Sequence, residues 1–231
     1  MSIILALDTS TEACSAALIN QGEVFTEYAV CPREHNKRLL AMMDSVLKQA
    51  SLTIDQVDAI AFGRGPGSFT GVRIATGIVQ GVAFGANKPV IGISSLAAMA
   101  HGVFRRTEKQ QVISAIDARM GEIYLGVYQV LSLGTIQELA PDTVCKPVDS
   151  LMNLDPAVNW HAIGTGWQTY QDVLTSQIPA QIDNEQAFPE ALDIAYLALQ
   201  AFNNGHYVEA SQAQPIYVRD NVTWKKLPGK E

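Results

Sequence analysis

The chain has 231 residues, 16 Lys and Arg against 23 Asp and Glu, a formal net charge of −7, and a composition that is 48% hydrophobic and 17% charged. These values exclude a disordered chain and suit one large domain or two lobes of roughly 100 residues each. They also argue against RNA held by this chain alone, since phosphate binding draws on a basic surface: residues 1–105 carry 8 basic and 8 acidic side chains, residues 106–231 carry 8 and 15. No apolar run approaches the roughly 18 residues of a membrane span, and the start has neither a basic region nor a small-residue cleavage site, so the chain is expected in the cytoplasm, with no membrane association. Cys14, Cys31 and Cys145 are widely spaced and form no CxxC pair, which points to reduced, buried thiols.

In chain order, residues 3–7, 14–19 and 24–30 read as an antiparallel meander of three strands, broken at 8–12 and at Asn20-Gln21-Gly22. A helix is expected from about Pro32-Arg33-Glu34, with Leu39, Leu40, Met43, Val46 and Leu47 on one stripe. Residues 58–63 form a buried strand, followed by a Gly-Pro loop, a helix over 68–84, a short strand over 89–93 and a third helix opening at Ser94-Ser95. Residues 112–116, Asp117, the turn Ala118-Arg119-Met120-Gly121 and a strand over 123–130 then repeat the opening plan of strand, Asp8, turn, strand. The two aspartates stand 109 residues apart, close to half the chain, which suggests a duplicated fold. A further strand at 160–166 ending in a glycine turn, an amphipathic helix over 189–203 and a last strand over 215–219 complete the reading. The predicted class is α/β, an actin-like fold of two duplicated lobes with mixed sheets flanked by helices: an N-terminal lobe over 1–105 and a C-terminal lobe over 106–231.

Several motifs bear on chemistry. Asp8-Thr9-Ser10-Thr11-Glu12 sits where the phosphate turn of such a fold lies; Asp8 and Thr9, with Asp117 and Arg119 of the second turn, are candidates for binding a nucleotide or metal, or are ordinary turn formers. The turn lacks the glycine that lets a chain approach phosphate. Gly63-Arg64-Gly65-Pro66-Gly67-Ser68-Phe69-Thr70-Gly71-Val72-Arg73 lacks the terminal Lys-Ser/Thr of a P-loop, which excludes that class of NTPase, and Ser68 is placed to cap the next helix. In that helix Gly77, Gly81 and Gly85 recur every four residues at roughly 1 kcal/mol each relative to alanine. Close approach of another helix explains them, within the chain or at a subunit interface, with Arg64, Phe69 and Arg73 nearby. His35, His101, His161 and His206 show no metal-ligand spacing; His35 reads as a surface residue or a partner contact. Asp117, Arg119 and Glu122 share one turn, where Arg119 either pairs internally or meets an anion. The basic cluster Arg219, Lys225, Lys226 and Lys230 reads as a solvated tail or as a contact to RNA or a partner.

The segments at 8–15, 31–35, 63–73 and 116–122, with Trp224-Lys225-Lys226-Leu227-Pro228-Gly229-Lys230, resemble the bacterial TsaB (YeaZ) family across essentially the whole chain. The resemblance implies the actin-like fold and a part in making threonylcarbamoyladenosine beside the tRNA anticodon. In that pathway TsaC makes threonylcarbamoyl-AMP, the catalytic paralogue TsaD transfers the group to adenosine, the small ATPase TsaE supports turnover, and TsaB is the non-catalytic partner of TsaD. ATP and metal are then expected on the partner subunits, with no cofactor on this chain, tRNA is met through the complex, and the chain forms a homodimer when alone. The interface is implied on the helices over 33–50 and 69–85, with His35, Leu39, Met43, Arg64, Phe69, Arg73, Gly77 and Gly81 as candidate contacts. The His-x-x-x-His metal pair of the paralogue falls here on Ser95 and Met99, neither a ligand for the same ion. Two other readings stay open: a small-molecule kinase or ATPase using Asp8 and Asp117, and a stand-alone homodimeric binding protein.

Overall fold

The computed structural model describes residues 2–148 and 150–219. Strands β1 (Ile4–Asp8), β2 (Ala13–Asn20) and β3 (Glu23–Val30) form the meander, and β4 (Ala59–Gly65) and β5 (Val90–Ser94) add in parallel to β1, giving sheet order β3-β2-β1-β4-β5. Strands β6 (Gln111–Arg119), β7 (Glu122–Ser132), β8 (Thr135–Cys145), β9 (Trp160–Ile163) and β10 (Ala180–Asp183) form a second sheet ordered β10-β9-β6-β7-β8. Read from the meander outward the two orders are the same, with the same parallel and antiparallel pairings. The duplication inferred from the two aspartates is therefore architectural.

Helices α1 (His35–Gln49) and α2 (Phe69–Ala86) cover one face of the first sheet, where Leu39, Val46, Ala75 and Val79 meet Leu5, Leu7 and Phe62. The opposite face, Ile4, Ala6, Ala59 and Ala61, is covered by α6 (Ala191–Asn203), whose first amide is held by Ser15 Oγ at 2.9 Å. The C-terminal helix thus returns to the first sheet, while α3 (Ser95–Thr107) crosses to the second, packing Leu96, Met99 and Val103 on Val112 and Ile116. Each sheet follows the two-residue period of a strand, so β6 sends Val112 and Ile116 to one core and Ile113 and Ala115 to the other. Short helices α4 (Thr165–Thr169) and α5 (Gln171–Thr175) cover the outer face, with Trp167 and Leu174 fully buried.

Buried charge ties the layers together. Asp193 of α6 accepts from His101 Nδ1 at 2.7 Å and from both Nε and Nη2 of Arg105 at 2.9 and 3.0 Å, while the Gly134 amide donates to His101 Nε2 at 2.9 Å. The imidazole thus carries its proton on Nδ1. Burial raises the Asp193 carboxyl, but the donors on His101 and Arg105 outweigh it and hold it below the usual range.

Several expectations are corrected. Residues 213–219 form no strand; one amide, Ile216, donates to Arg64 O at 2.8 Å. Strands β8 and β10 and helices α4 and α5 were not expected. Helix α2 has 18 residues with mean hydropathy 1.2, long and apolar enough by those measures to cross a bilayer, contrary to the expectation that nothing in the chain approaches that length. Here one face of it seals the first core.

Candidate functional site

Between the lobes lies a cleft of about 580 Å³ lined by the two strand–Asp–turn units. The first turn is sealed. Asp8, Thr9 and Ser10 have no exposed surface; Thr9 Oγ1 donates to Gly71 O at 2.7 Å, and Ser10 O accepts the Ser68 amide at 2.7 Å. Glycines allow this packing: a Cβ at Gly63 would stand 1.9 Å from Asp8 Oδ1, at Gly67 2.2 Å from Ser10 O, and at Gly71 2.0 Å from Thr9 O. The loop that resembles a phosphate loop is thus spent on the chain's own turn. Asp8 Oδ2 accepts from Ser10 N and Oγ, Oδ1 has no partner, and burial drives the carboxyl up to about 7 against those two bonds. As candidate ligand contacts, Asp8 and Thr9 are corrected: neither lines the cleft, whereas Ser10, Thr11 and Glu12 of the same turn do.

The second turn is open. Asp117 and Arg119 line the cleft, and Met120 projects into solvent. Arg119 pairs with Asp117 at 2.9 Å and reaches Glu12 of the first lobe at 3.2 Å, so it spans the cleft mouth as an internal ion pair. Arg219 belongs here as well: it donates to Glu122 at 2.6 Å and to Ala118 O at 3.1 Å. Its assignment to a solvated tail is corrected, while Lys225, Lys226 and Lys230 lie outside the described residues.

The interface candidates separate into four groups. His35 and Leu39 are buried in the chain itself, His35 Nε2 lying 2.9 Å from Thr11 O and Leu39 in the core, so neither is a surface contact. Arg64 is corrected too: it runs from the end of β4 over Gly92 into a different cavity, away from the helix face. Met43 is half-buried, and Phe69 and Arg73 are exposed at the start of α2, with Arg73 stacked 3.4 Å over the Phe69 ring and bonded to Tyr217 Oη at 2.8 Å. Gly77, Gly81 and Gly85 face solvent; a Cβ at any of them would meet nothing within 4 Å. Internal close packing is therefore not their reason. Beside them Phe84 is 81% exposed, a residue that sequence reasoning passed over although it lies between two of the spaced glycines.

Residues 19–227 match the family model of TsaD, tRNA N6-adenosine threonylcarbamoyltransferase. A protein of Escherichia coli K12, "tRNA threonylcarbamoyladenosine biosynthesis protein TsaB", is 44% identical over 99% of this chain and 99% of its own. Its namesake in Haemophilus influenzae is 44% identical over 99% and 98%. The solved structure of YeaZ from Pseudomonas aeruginosa superposes with a TM-score of 0.87 at 45% identity, covering 94% of this chain and all of that one. The chain belongs to the TsaB (YeaZ) family. Its duplicated lobes are the actin-like fold of that family. In this TsaB-family chain Ser95 and Met99 are both buried, and Ser95 Oγ has no partner among the described residues. Among the described residues no three His, Cys, Asp or Glu side chains are grouped as metal ligands. The thiol of Cys14 is pushed up to about 12 by burial, with Cys31 and Asp8 adding to the effect, which leaves it unreactive.

Proposed function

We propose that this chain is the non-catalytic scaffold subunit of a tRNA threonylcarbamoyladenosine-modifying complex, pairing through α1 and α2 with a TsaD-type catalytic paralogue and so supporting transfer of the threonylcarbamoyl group to the adenosine next to the anticodon. The relatives' names support a role in tRNA modification. The observation that carries the pairing is the open glycine face of α2. Three glycines in one exposed helix face weaken that helix by roughly 1 kcal/mol each, and among the described residues nothing comes within 4 Å of where a Cβ at any of them would stand. A partner helix laid along that face uses it, with Phe84 and the exposed Leu40 of α1 as apolar anchors. The same face makes a homodimer when the paralogue is absent.

The non-catalytic part of the reading rests on the sealed first turn and on Ser95 and Met99. In this scheme ATP and metal sit on partner subunits, a TsaE-type ATPase joins the complex, tRNA is met through it, and the assembly works in the cytoplasm away from membranes. The rival reading as a small-molecule kinase loses its first carboxylate, because Asp8 faces the chain's own loop. Light scattering on a sizing column tests the proposal, using the chain alone, with the paralogue, and with both plus ATP and the TsaE-type protein. A homodimer that exchanges into a mixed complex is expected, and Gly81→Leu should weaken pairing at least about tenfold, roughly 1.4 kcal/mol. Normal assembly and normal modification by Gly81→Leu would reject the α2 face.

A further inference from the structure

A second cavity, of about 550 Å³, shares no lining residue with the interlobe cleft. It lies where β5 and the start of α3 meet β7, β8 and α6. The first lobe contributes Arg64. Its side chain lies flat against Gly92, where a Cβ would stand 3.1 Å from Arg64 Cδ. Its Nε is buried without a partner, and none of the ion pairs among the described residues includes its guanidinium. A half-buried guanidinium whose donors meet no hydrogen-bond or ion-pair partner among the described residues is suited to receive a carboxylate.

The second lobe contributes carboxyl groups. Asp142 is fixed, its Oδ2 accepting from Ser94 Oγ at 2.5 Å and its Oδ1 from the Tyr128 hydroxyl. Gly126 makes room for it, since a Cβ there would stand 2.6 Å from Asp142 Oδ1. Burial raises the Asp142 carboxyl, against the bonds from Ser94 and Tyr128. Glu138, exposed on the same strand, lines the cavity with it, and the remaining lining includes Ile93, Ile136 and Leu197.

The charge layout selects the ligand. A simple anion is drawn to Arg64 and repelled by Glu138 and Asp142, and a simple cation meets the reverse. A molecule carrying both charges a few atoms apart satisfies all three. The geometry points to a binding site for a small zwitterion of the α-amino-acid class, its carboxylate on Arg64, its ammonium toward Glu138 and Asp142, and its side chain on the aliphatic lining. The site is independent of the pairing face and is tested on the full chain alone.

Calorimetric titration with leucine, glutamine and valine is compared with 3-methylbutylamine, which lacks the carboxylate, and 4-methylpentanoate, which lacks the amine. At about 10 mM ligand even a Kd of about 1 mM fills roughly nine sites in ten, so weak binding is visible. At least one zwitterion is expected to bind, with both truncated analogues weaker by about tenfold or more, a loss of about 1.4 kcal/mol for each missing charge. Arg64→Gln should weaken binding by about the same factor while circular dichroism stays native; Glu138→Gln, at an exposed position, provides the second variant should Arg64→Gln not fold. Failure of all the amino acids to bind, equal binding of the carboxylate-only analogue, or unchanged affinity in a folded Arg64→Gln or Glu138→Gln chain overturns the assignment. None of these outcomes bears on pairing with a paralogue.

Discussion

The two strand–Asp–turn units descend from one plan and have opposite environments. In the first lobe the glycine loop after β4 closes directly over residues 8–10, leaving Asp8 wholly buried. In the second the matching strand, β9, also ends in glycine, but its close approach falls further back: a Cβ at Gly164 would stand 2.2 Å from Ala115 O, and Thr165 Oγ1 takes the Asp117 amide at 3.0 Å. Two residues of displacement leave Asp117 and Arg119 facing the cleft. The same local sequence thus yields a sealed turn or an open one according to where the next loop lands. An aspartate at a strand end is therefore no evidence of a ligand until its neighbours are placed.

The largest expected effect breaks the contrast outright. Gly71→Ala sets a Cβ against a backbone oxygen that cannot swing aside, and should cost about 4 kcal/mol or leave the protein insoluble. Gly121→Ala in the open turn, at φ +79° with nothing within 4 Å of the added atom, should cost only about 1 kcal/mol of backbone strain. Thermal unfolding of the pair measures the difference, and equal losses would show that the first turn is not sealed by contact. Next comes pH. Asp8 keeps its proton in the fold up to about pH 7, whereas a solvated aspartate loses it near 3.8, so the folded state holds the extra proton between those values and stability falls as pH rises from about 4 to about 7. Asp8→Asn should flatten that part of the stability curve; a wild-type slope persisting in the variant would assign it to another group.

Gly81→Ala sharpens a second contrast, between a glycine required by its own chain and one that is not. With open space at the added methyl, the monomer, unfolded at a concentration too low for the homodimer to form, should gain about 1 kcal/mol, a rise of about 2–4 °C in unfolding midpoint, while pairing weakens. A loss of stability in that dilute monomer would mean the face is covered within the chain. The smallest effect belongs to Arg119→Gln: the guanidinium is largely exposed, and surface ion pairs contribute about 0–1 kcal/mol, so stability should move by less than about 0.5 kcal/mol.

Much of the first lobe was legible because β1, β2 and β4 are short, nearly continuous apolar runs bounded by polar or glycine breaks, and two of its helices announce their starts. Ser68 and Ser94 cap α2 and α3, accepting from Gly71 and Ala97. The second lobe was harder. Strand β8 contains Pro141 and is largely exposed, and β10 has four residues, so neither shows the apolar run that marks a strand. His35 looked like a surface residue because its partner is a backbone carbonyl 24 positions earlier, which leaves no trace in residue spacing. Arg64 looked like part of the helix motif because it is adjacent in sequence, yet it ends a strand and turns to the other side of the sheet.

By itself the sequence determined the two-lobe duplication, the caps and the glycine spacing, and its motifs carried the family resemblance, because each is a local or periodic property of residue order. Only the tertiary structure decided that Asp8 is sealed and Asp117 open, that His35 and Leu39 are internal, that α3 and α6 exchange sheets, and that Arg64 meets Asp142 and Glu138 in one cavity. Those outcomes depend on ångström-scale approaches between segments 24 to 176 residues apart, and the free energy of such contacts belongs to the packed chain rather than to any stretch of it.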